Sequence, residues 1–507
     1  MIFSRLSVRV NSGSVTTVNS PVLVALSRGA LVGIFAVGLL AIISGLLDLS
    51  DSGNDTPSFL IFGTLITICC AYLTRYVSEK KLNRSESFLA VTSGFLSSIL
   101  CSSFIYLFMT DEKNFANALF ESTAAFTTTS LTVIDFGMSG NGLIFYRTAS
   151  QLFGSFAAIL LAVMVLPIAD NNSRSLTSGR HATQETFPDR RKALKSIASI
   201  YLVSIVLLTL TLLTTPVDFF EALLLSISSI STGGFSISSE HFGNSSVQLL
   251  LSAGMITTGM SILVIWRLVS GKIYSAIRSS ELHAYFLLIV VASLLLFLWS
   301  DEGGTSSLSS SLFIALASIS TTGFHIPPFG NWSEATAFLL LFLVTVGPMS
   351  LSNGGGFQIH RLRILIAVSF RELVRQLHPR AVVKIIIGDE SIKEERVREV
   401  VVFQFLFTSV IFLTAIALTI SGMSMYEGVS SSITAISTAG PIRNAEGVII
   451  EVSSFSVGER LALLPAMISG RLYLIPVLIS IGYLLSEART FLRPRRRLLQ
   501  AMRSDPR

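Results

Sequence analysis

The sequence predicts an all-α polytopic membrane protein of about ten transmembrane helices, arranged as two N-terminal spans and four tandem helix–pore loop–helix units around a pseudo-fourfold pore. Three observations predict it. Of 507 residues, 51% are hydrophobic and only 13% charged, about half the charge of a soluble domain. The charges gather in short segments between long apolar runs. And one short Thr- and Gly-rich tetrad recurs four times.

A span needs about 20 mostly apolar residues. Stretches 21–47, 58–76, 87–110, 142–169, 196–215, 246–269, 282–300, 334–352, 399–421 and 458–486 meet or approach that. Basic residues in short loops favour the cytoplasm. Arg5 and Arg9, then Arg75, Lys80, Lys81 and Arg84, and the clusters at 174–195, 267–278, 361–398 and 489–507 all fall on one side of this plan. Asp48, Asp51, Asp55, Asp111 and Glu112 fall on the other, so both termini are expected to be cytoplasmic. Residues 1–19 lack the apolar core of a signal peptide, which leaves insertion to the first span. Cys69, Cys70 and Cys101 lie in apolar stretches with no metal spacing and read as packing residues.

The plan then runs as follows: 1–20 a cytoplasmic N-terminus, 21–84 two extra spans, 85–180 the first pore unit, 181–275 the second and 276–360 the third. A cytoplasmic connector follows at 361–398, the fourth unit at 399–488 and a basic tail at 489–507. Within the units, Asn114 to Phe126, Phe219 to Ile230, Ser310 to Ile319 and Met425 to Ile436 are too apolar for ordinary loops. Each suits a helix of about 10–13 residues, half a crossing.

These half-helices end in Thr127-Thr128-Thr129-Ser130, Ser231-Thr232-Gly233-Gly234, Ser320-Thr321-Thr322-Gly323 and Ser437-Thr438-Ala439-Gly440. An isolated tetrad of small residues reads as a helix-packing device. Four in matching slots read as a pore. Non-helical backbone at membrane depth needs protein or water around it, and carbonyls converging on one axis can replace a cation's hydration shell. Half-helices ending at mid-membrane would turn the negative ends of their dipoles towards that cation. Glu121, Glu221 and Glu427 either serve their helices or concentrate cations at the mouth.

With these tetrads, the sequence resembles the superfamily of potassium transporters that includes TrkH, KtrB and the plant high-affinity transporters. Further motifs carry the resemblance: Phe145-Tyr146-Arg147 through Leu166-Pro167, Gly347-Pro348-Met349-Ser350-Leu351-Ser352-Asn353-Gly354-Gly355-Gly356, Arg371-Glu372-Leu373 with 377–383, and Met467-Ile468-Ser469-Gly470-Arg471-Leu472. The two extra N-terminal spans put the plan nearer TrkH. The resemblance implies K⁺ uptake through a filter formed by Thr128, Thr129, Ser130, Thr232, Gly233, Gly234, Thr321, Thr322, Gly323, Thr438, Ala439 and Gly440. It implies a gate formed by Ser352, Asn353, Gly354, Gly355, Gly356 and Arg471, an inner-membrane location, a homodimer and a TrkA-like nucleotide-binding regulatory subunit. A run of Ser, Asn and three Gly also unwinds a helix on its own account, or ends one at the interface. A buried arginine such as Arg471 must face protein.

Five departures from the family pattern stand out. Ser130 replaces a glycine, and Ser there goes with Na⁺ permeability in the plant relatives. Gln151-Leu152-Phe153-Gly154-Ser155 replaces a Trp-Gly-Gly pattern. Gln358 and Tyr473 replace a common Lys and a common acid, and the last tetrad continues into Pro441 without the usual Asn. The alternatives are a Na⁺-permeable or poorly selective transporter of the same fold, and an ion-coupled solute carrier. Six histidines without metal spacing and the lack of a P-loop give no expectation of an enzyme, a bound cofactor or nucleic acid.

Overall fold

In the computed structural model, the described residues are 21–49, 56–77, 82–110, 114–165, 190–238, 240–299, 308–326, 333–380, 383–388 and 390–487. The expected N-terminal segment and basic tail, Leu166-Pro167, Ala381-Val382 and His181 lie outside them.

Seven of the described helices are long and apolar enough to cross a membrane, and two further pairs, each bent by 105°, raise the number to nine. Their outward faces carry large exposed apolar side chains, among them Ile68, Leu202, Leu287 and Phe405. A soluble monomer does not present faces of that extent. The chain is a multi-pass helical membrane protein.

Helices α1 (Pro21–Asp48), α2 (Thr56–Leu73) and α3 (Arg84–Met109) pack through small residues. A side chain on Gly29 would collide with the Ala90 carbonyl, and one on Gly63 would meet the Gly38 carbonyl at 2.9 Å. Such contacts let backbones approach where lipid supplies no hydrophobic drive. The buried Asp48 accepts from Thr56 Oγ1 at 2.8 Å and from the Gly142 amide at 3.1 Å. It thereby ties the extra pair to the helix after the first tetrad.

Four half-helices follow the expected bounds closely: α4 (Phe115–Phe126), α7 (Phe219–Ile230), α11 (Leu308–Ile319) and α15 (Met425–Ile436), twelve residues each. At about 1.5 Å per residue, each falls well short of the ~30 Å hydrocarbon core. Asn114 caps the first through the Ala116 amide, and Ser424 with Glu427 forms a capping box on the last. The flanking helices are α5 (Asn141–Leu160), α6 (Arg190–Leu212), α10 (Ser280–Trp299) and α14 (Glu394–Ile420).

Three expected spans are not continuous. The stretch 246–269 is α8 (Ser245–Gly259) and α9 (Ile262–Val269), and 458–486 is α16 (Val457–Arg471) and α17 (Leu474–Glu487), each bent by 105°. The stretch 334–352 holds only the thirteen-residue α12 (Glu334–Val346), closed by Gly347 at φ 69°. An irregular segment to Gln358 follows, then α13 (Ile359–Leu377). The breaks satisfy one another. Met349 and Asn353 amides donate to the Gly259 and Thr258 carbonyls at 3.1 and 3.2 Å, and the Ile262 amide donates to Leu351. Backbone groups freed at one break therefore find partners at the other, as burial in a membrane protein requires. The connector adds a short hairpin, β1 (Ile385–Ile387) paired with β2 (Glu390–Ile392), to the helices.

Candidate functional site

All four tetrads share one backbone feature. The second residue of each, Thr128, Thr232, Thr321 and Thr438, has φ of 56°, 59°, 59° and 48°. Left-handed backbone is a genuine outlier for a β-branched residue and persists only where its surroundings enforce it. Here the half-helix enforces it. Past the strained threonine the chain folds back, so the Thr129, Gly233 and Ala439 amides reach the Ala124, Ser228 and Thr434 carbonyls at 2.9, 2.7 and 3.0 Å. Two glycines admit close approach: a side chain on Gly154 would strike the Phe126 carbonyl, and one on Gly470 the Ile436 carbonyl.

The tetrads meet. A β-carbon on Gly234 would lie 2.8 Å from Ser130 Cβ, and one on Gly323 would lie 2.7 Å from the Gly440 carbonyl. Gly323 and Gly440 both face Ser130 Oγ at closer range still. The Ser130 side chain thus stands among the three glycines that end the other tetrads. All three are needed, since any β-carbon there meets backbone or Ser130. The hydroxyls of Thr128, Ser130, Ser437 and Thr438 are buried without a hydrogen-bond partner. Orphaned hydroxyls in a closed ring suit a bound cation or water.

The segment 347–358 presses on this ring. The Gly355 amide donates to Thr321 Oγ1 at 2.9 Å, and Thr232 Oγ1 donates to the Asn353 carbonyl at 3.3 Å. Asn353 Nδ2 donates to the Ile230 carbonyl at 2.6 Å, and its Oδ1 accepts from Tyr201 at 2.5 Å. A side chain on Gly354 would strike the Ser320 carbonyl, and one on Gly355 the Ser437 carbonyl. Arg471, 4% exposed at the end of α16, donates Nη1 to the Asn353 carbonyl at 2.8 Å. Ser352 stays inside the segment, bonded to Met349. The predicted gate residues and the tetrads of units two, three and four are therefore in contact.

The acids behave differently from one another. Glu121 is fully buried and pairs with Arg147 at 2.6 Å. Arg147 also donates to the Leu131 carbonyl at 3.1 Å and the Thr129 carbonyl at 3.4 Å. Glu121 therefore pins the chain leaving the first tetrad and is no part of a mouth. Glu427 caps its helix, and Glu221 pairs with His241 at 3.1 Å.

Two residues escaped the sequence reading as parts of the site. Gln151, noted only as a departure from pattern, donates Nε2 to the Gly233 carbonyl at 3.1 Å. Glu281 accepts both the amide and the hydroxyl of Ser350, at 2.6 and 2.9 Å. A polar side chain inside an apolar helix was the available signal for the first. For the second there was only an acid at a helix start.

Fold and site together define a polytopic membrane protein whose four re-entrant loops converge on one polar ring. Residues 282–491 match the family described as TrkH, a cation transport protein. The chain is 25% identical over 447 residues to an uncharacterized cation transporter of Methanocaldococcus jannaschii, covering 87% of this chain and 92% of that one. It is 27% identical over 436 residues to the Trk system potassium uptake protein TrkH of Halomonas elongata, covering 82% and 89%. The crystal structure of the potassium transporter TrkH from Vibrio parahaemolyticus superposes with a TM-score of 0.80 at 23% identity, over 90% of this chain and 98% of that one. The chain is thus similar in sequence to these cation and potassium transporters and shares the fold of the solved TrkH.

Proposed function

We propose that this chain carries K⁺ into the cell through the ring of tetrads, with segment 352–356 and Arg471 as its gate. The observation that carries the reading is the fourfold left-handed threonine around a ring in which the hydroxyls of Thr128, Ser130, Ser437 and Thr438 lack partners. Strain of that kind concentrates where function needs a fixed geometry. Carbonyls and hydroxyls of the ring replace water around the dehydrated ion, and the half-helices end at the ring with their negative poles towards it.

In this reading the gate is closed as described: Asn353, Gly354 and Gly355 lie directly against the ring, held by Tyr201, Arg471 and Glu281. Opening requires the segment to leave Thr232 and Thr321. The glycines allow that motion, since they carry no side chain to jam against Ser320 or Ser437. The curated relatives named as Trk potassium uptake proteins support K⁺ as the cargo. An inner-membrane location, cytoplasmic termini, a homodimer and a TrkA-like regulatory subunit belong to the same proposal.

A second reading, Na⁺ permeation or weak selectivity, rests on one observation: Ser130 places a hydroxymethyl group among Gly234, Gly323 and Gly440. An extra hydroxyl oxygen and a narrower ring favour a smaller ion. Four loops converging on one ring favour an ion path over a solute carrier.

Complementation of a bacterium lacking potassium uptake separates these readings. Wild type and Ser130→Gly are both expected to restore growth at low K⁺, the mutant with better discrimination against Na⁺. Failure of both, with saturable uptake of another solute, would overturn the assignment.

A further inference from the structure

Beneath the segment 352–356 lies a cavity lined by, among others, Ser352, Asn353, Arg361, Ser469, Arg471 and Tyr473. No aspartate or glutamate lines it. Arg471 is buried, and while its Nη1 is used by the Asn353 carbonyl, Nε and Nη2 have no partner. Arg361, from the first turn of α13, stacks its guanidinium 3.8 Å from the centre of the Phe403 ring and spends Nη1 on the Phe357 carbonyl at 3.3 Å. The acid at the same segment, Glu281, accepts from Ser350 and offsets part of the charge of Arg361, and it does not act on Arg471.

Two guanidinium groups therefore share one cavity, and Arg471 stands there without a carboxylate beside it, where a buried, uncompensated cation is costly. Carbonyls and water satisfy N–H groups but leave the charge. The space holds about one or two water-sized particles, too little for a phosphate ester or a dicarboxylate.

We propose that this cavity is a binding site for a small inorganic anion of the size of chloride, held between Arg471 and Arg361. The anion accepts from Arg471 Nε and Nη2 and neutralises the positive charge that stands under the ring. On the gating reading above, on which this consequence rests, the occupied site loosens the hold of Arg471 on Asn353 and lowers the barrier to a passing cation.

The binding test needs no transport. ³⁵Cl resonance linewidths are measured with the purified full-length protein in detergent, for wild type, Arg471→Gln and Arg361→Gln. Each is first checked for a monodisperse elution profile and an unchanged unfolding midpoint. Wild type is expected to broaden the line in a saturable manner, displaceable by bromide. The excess is expected to vanish in Arg471→Gln and to fall in Arg361→Gln. Broadening that is equal in wild type and a folded Arg471→Gln would overturn the site. In liposomes, replacing lumenal and external chloride with gluconate is expected to slow K⁺ flux in wild type and to leave Arg471→Gln unchanged. Saturable chloride binding with identical flux in both anions would overturn the consequence for gating alone. Binding without cation flux in either anion would overturn the proposed function and leave the site standing.

Discussion

The Ser130 hydroxyl occupies the space that a β-carbon on Gly440 would need, although the two residues belong to the first and last repeats of the chain. The pair can be tested by exchange. Gly440→Ala is expected to abolish cation flux, because the new methyl overlaps Ser130 Oγ. Adding Ser130→Gly clears that overlap and is expected to restore flux in the double mutant. Residues in contact are where such non-additivity arises. A double mutant as inactive as Gly440→Ala would mean the two side chains do not compete for the same space.

Tyr201 holds segment 352–356, the proposed gate, from outside the repeat that contains it, through its hydrogen bond to Asn353 Oδ1. Tyr201→Phe removes two buried bonds, to Asn353 Oδ1 and to Ser155 Oγ; the first alone, at about 1 kcal/mol, shifts an open–closed equilibrium about fivefold. Higher basal Rb⁺ uptake in proteoliposomes is the expected result, with the unfolding midpoint little changed. Uptake at or below the wild-type rate would contradict a closed gate held by this contact.

The Glu121–Arg147 pair is sealed from solvent on both sides. Removing one charge strands the other, a loss of about 3–5 kcal/mol. Glu121→Gln is accordingly expected to lower the thermal midpoint of the purified protein markedly. Arg147→Lys, which keeps the charge but not the fork that reaches Thr129 and Leu131, is expected to lower it too and to disturb selectivity. A Glu121→Gln protein as stable as wild type would leave the pair without its assigned role.

Gln151 withdraws one lone pair of the Gly233 carbonyl from the ring. With Gln151→Leu that carbonyl is released, and the K⁺/Na⁺ permeability ratio, read from bi-ionic reversal potentials, is expected to change while flux persists. An unaltered ratio would make Gln151 a packing residue.

Much of this arrangement was legible in the sequence because the repeats are local. Each half-helix and its tetrad form a continuous segment, and their bounds were readable within a residue or two. The strained threonines were not foreseen, since nothing in Ser-Thr-x-Gly states the backbone angle of its second residue. The bends at Met260 and Leu472 were hidden for another reason. Hydropathy windows average over composition, so Thr257 to Ser261 and Ser469 to Arg471 were absorbed into the apolar stretches around them; the partners that permit the breaks, such as Met349 for Gly259, are remote in sequence. Glu121 and Arg147 read separately as a helix-face acid and a motif residue, and only their contact reveals what they do.

The meeting of Ser130 with Gly234, Gly323 and Gly440 also bears on how the protein is made. Synthesis delivers the first tetrad into the bilayer long before the fourth leaves the ribosome. Through that interval each early re-entrant loop holds polar backbone at membrane depth while lacking the neighbours that finally surround it. The insertion machinery, rather than the unfinished protein, must shelter those loops. A chain stopped short of Gly440 is thus a substrate for membrane quality control, however well its first three repeats have folded.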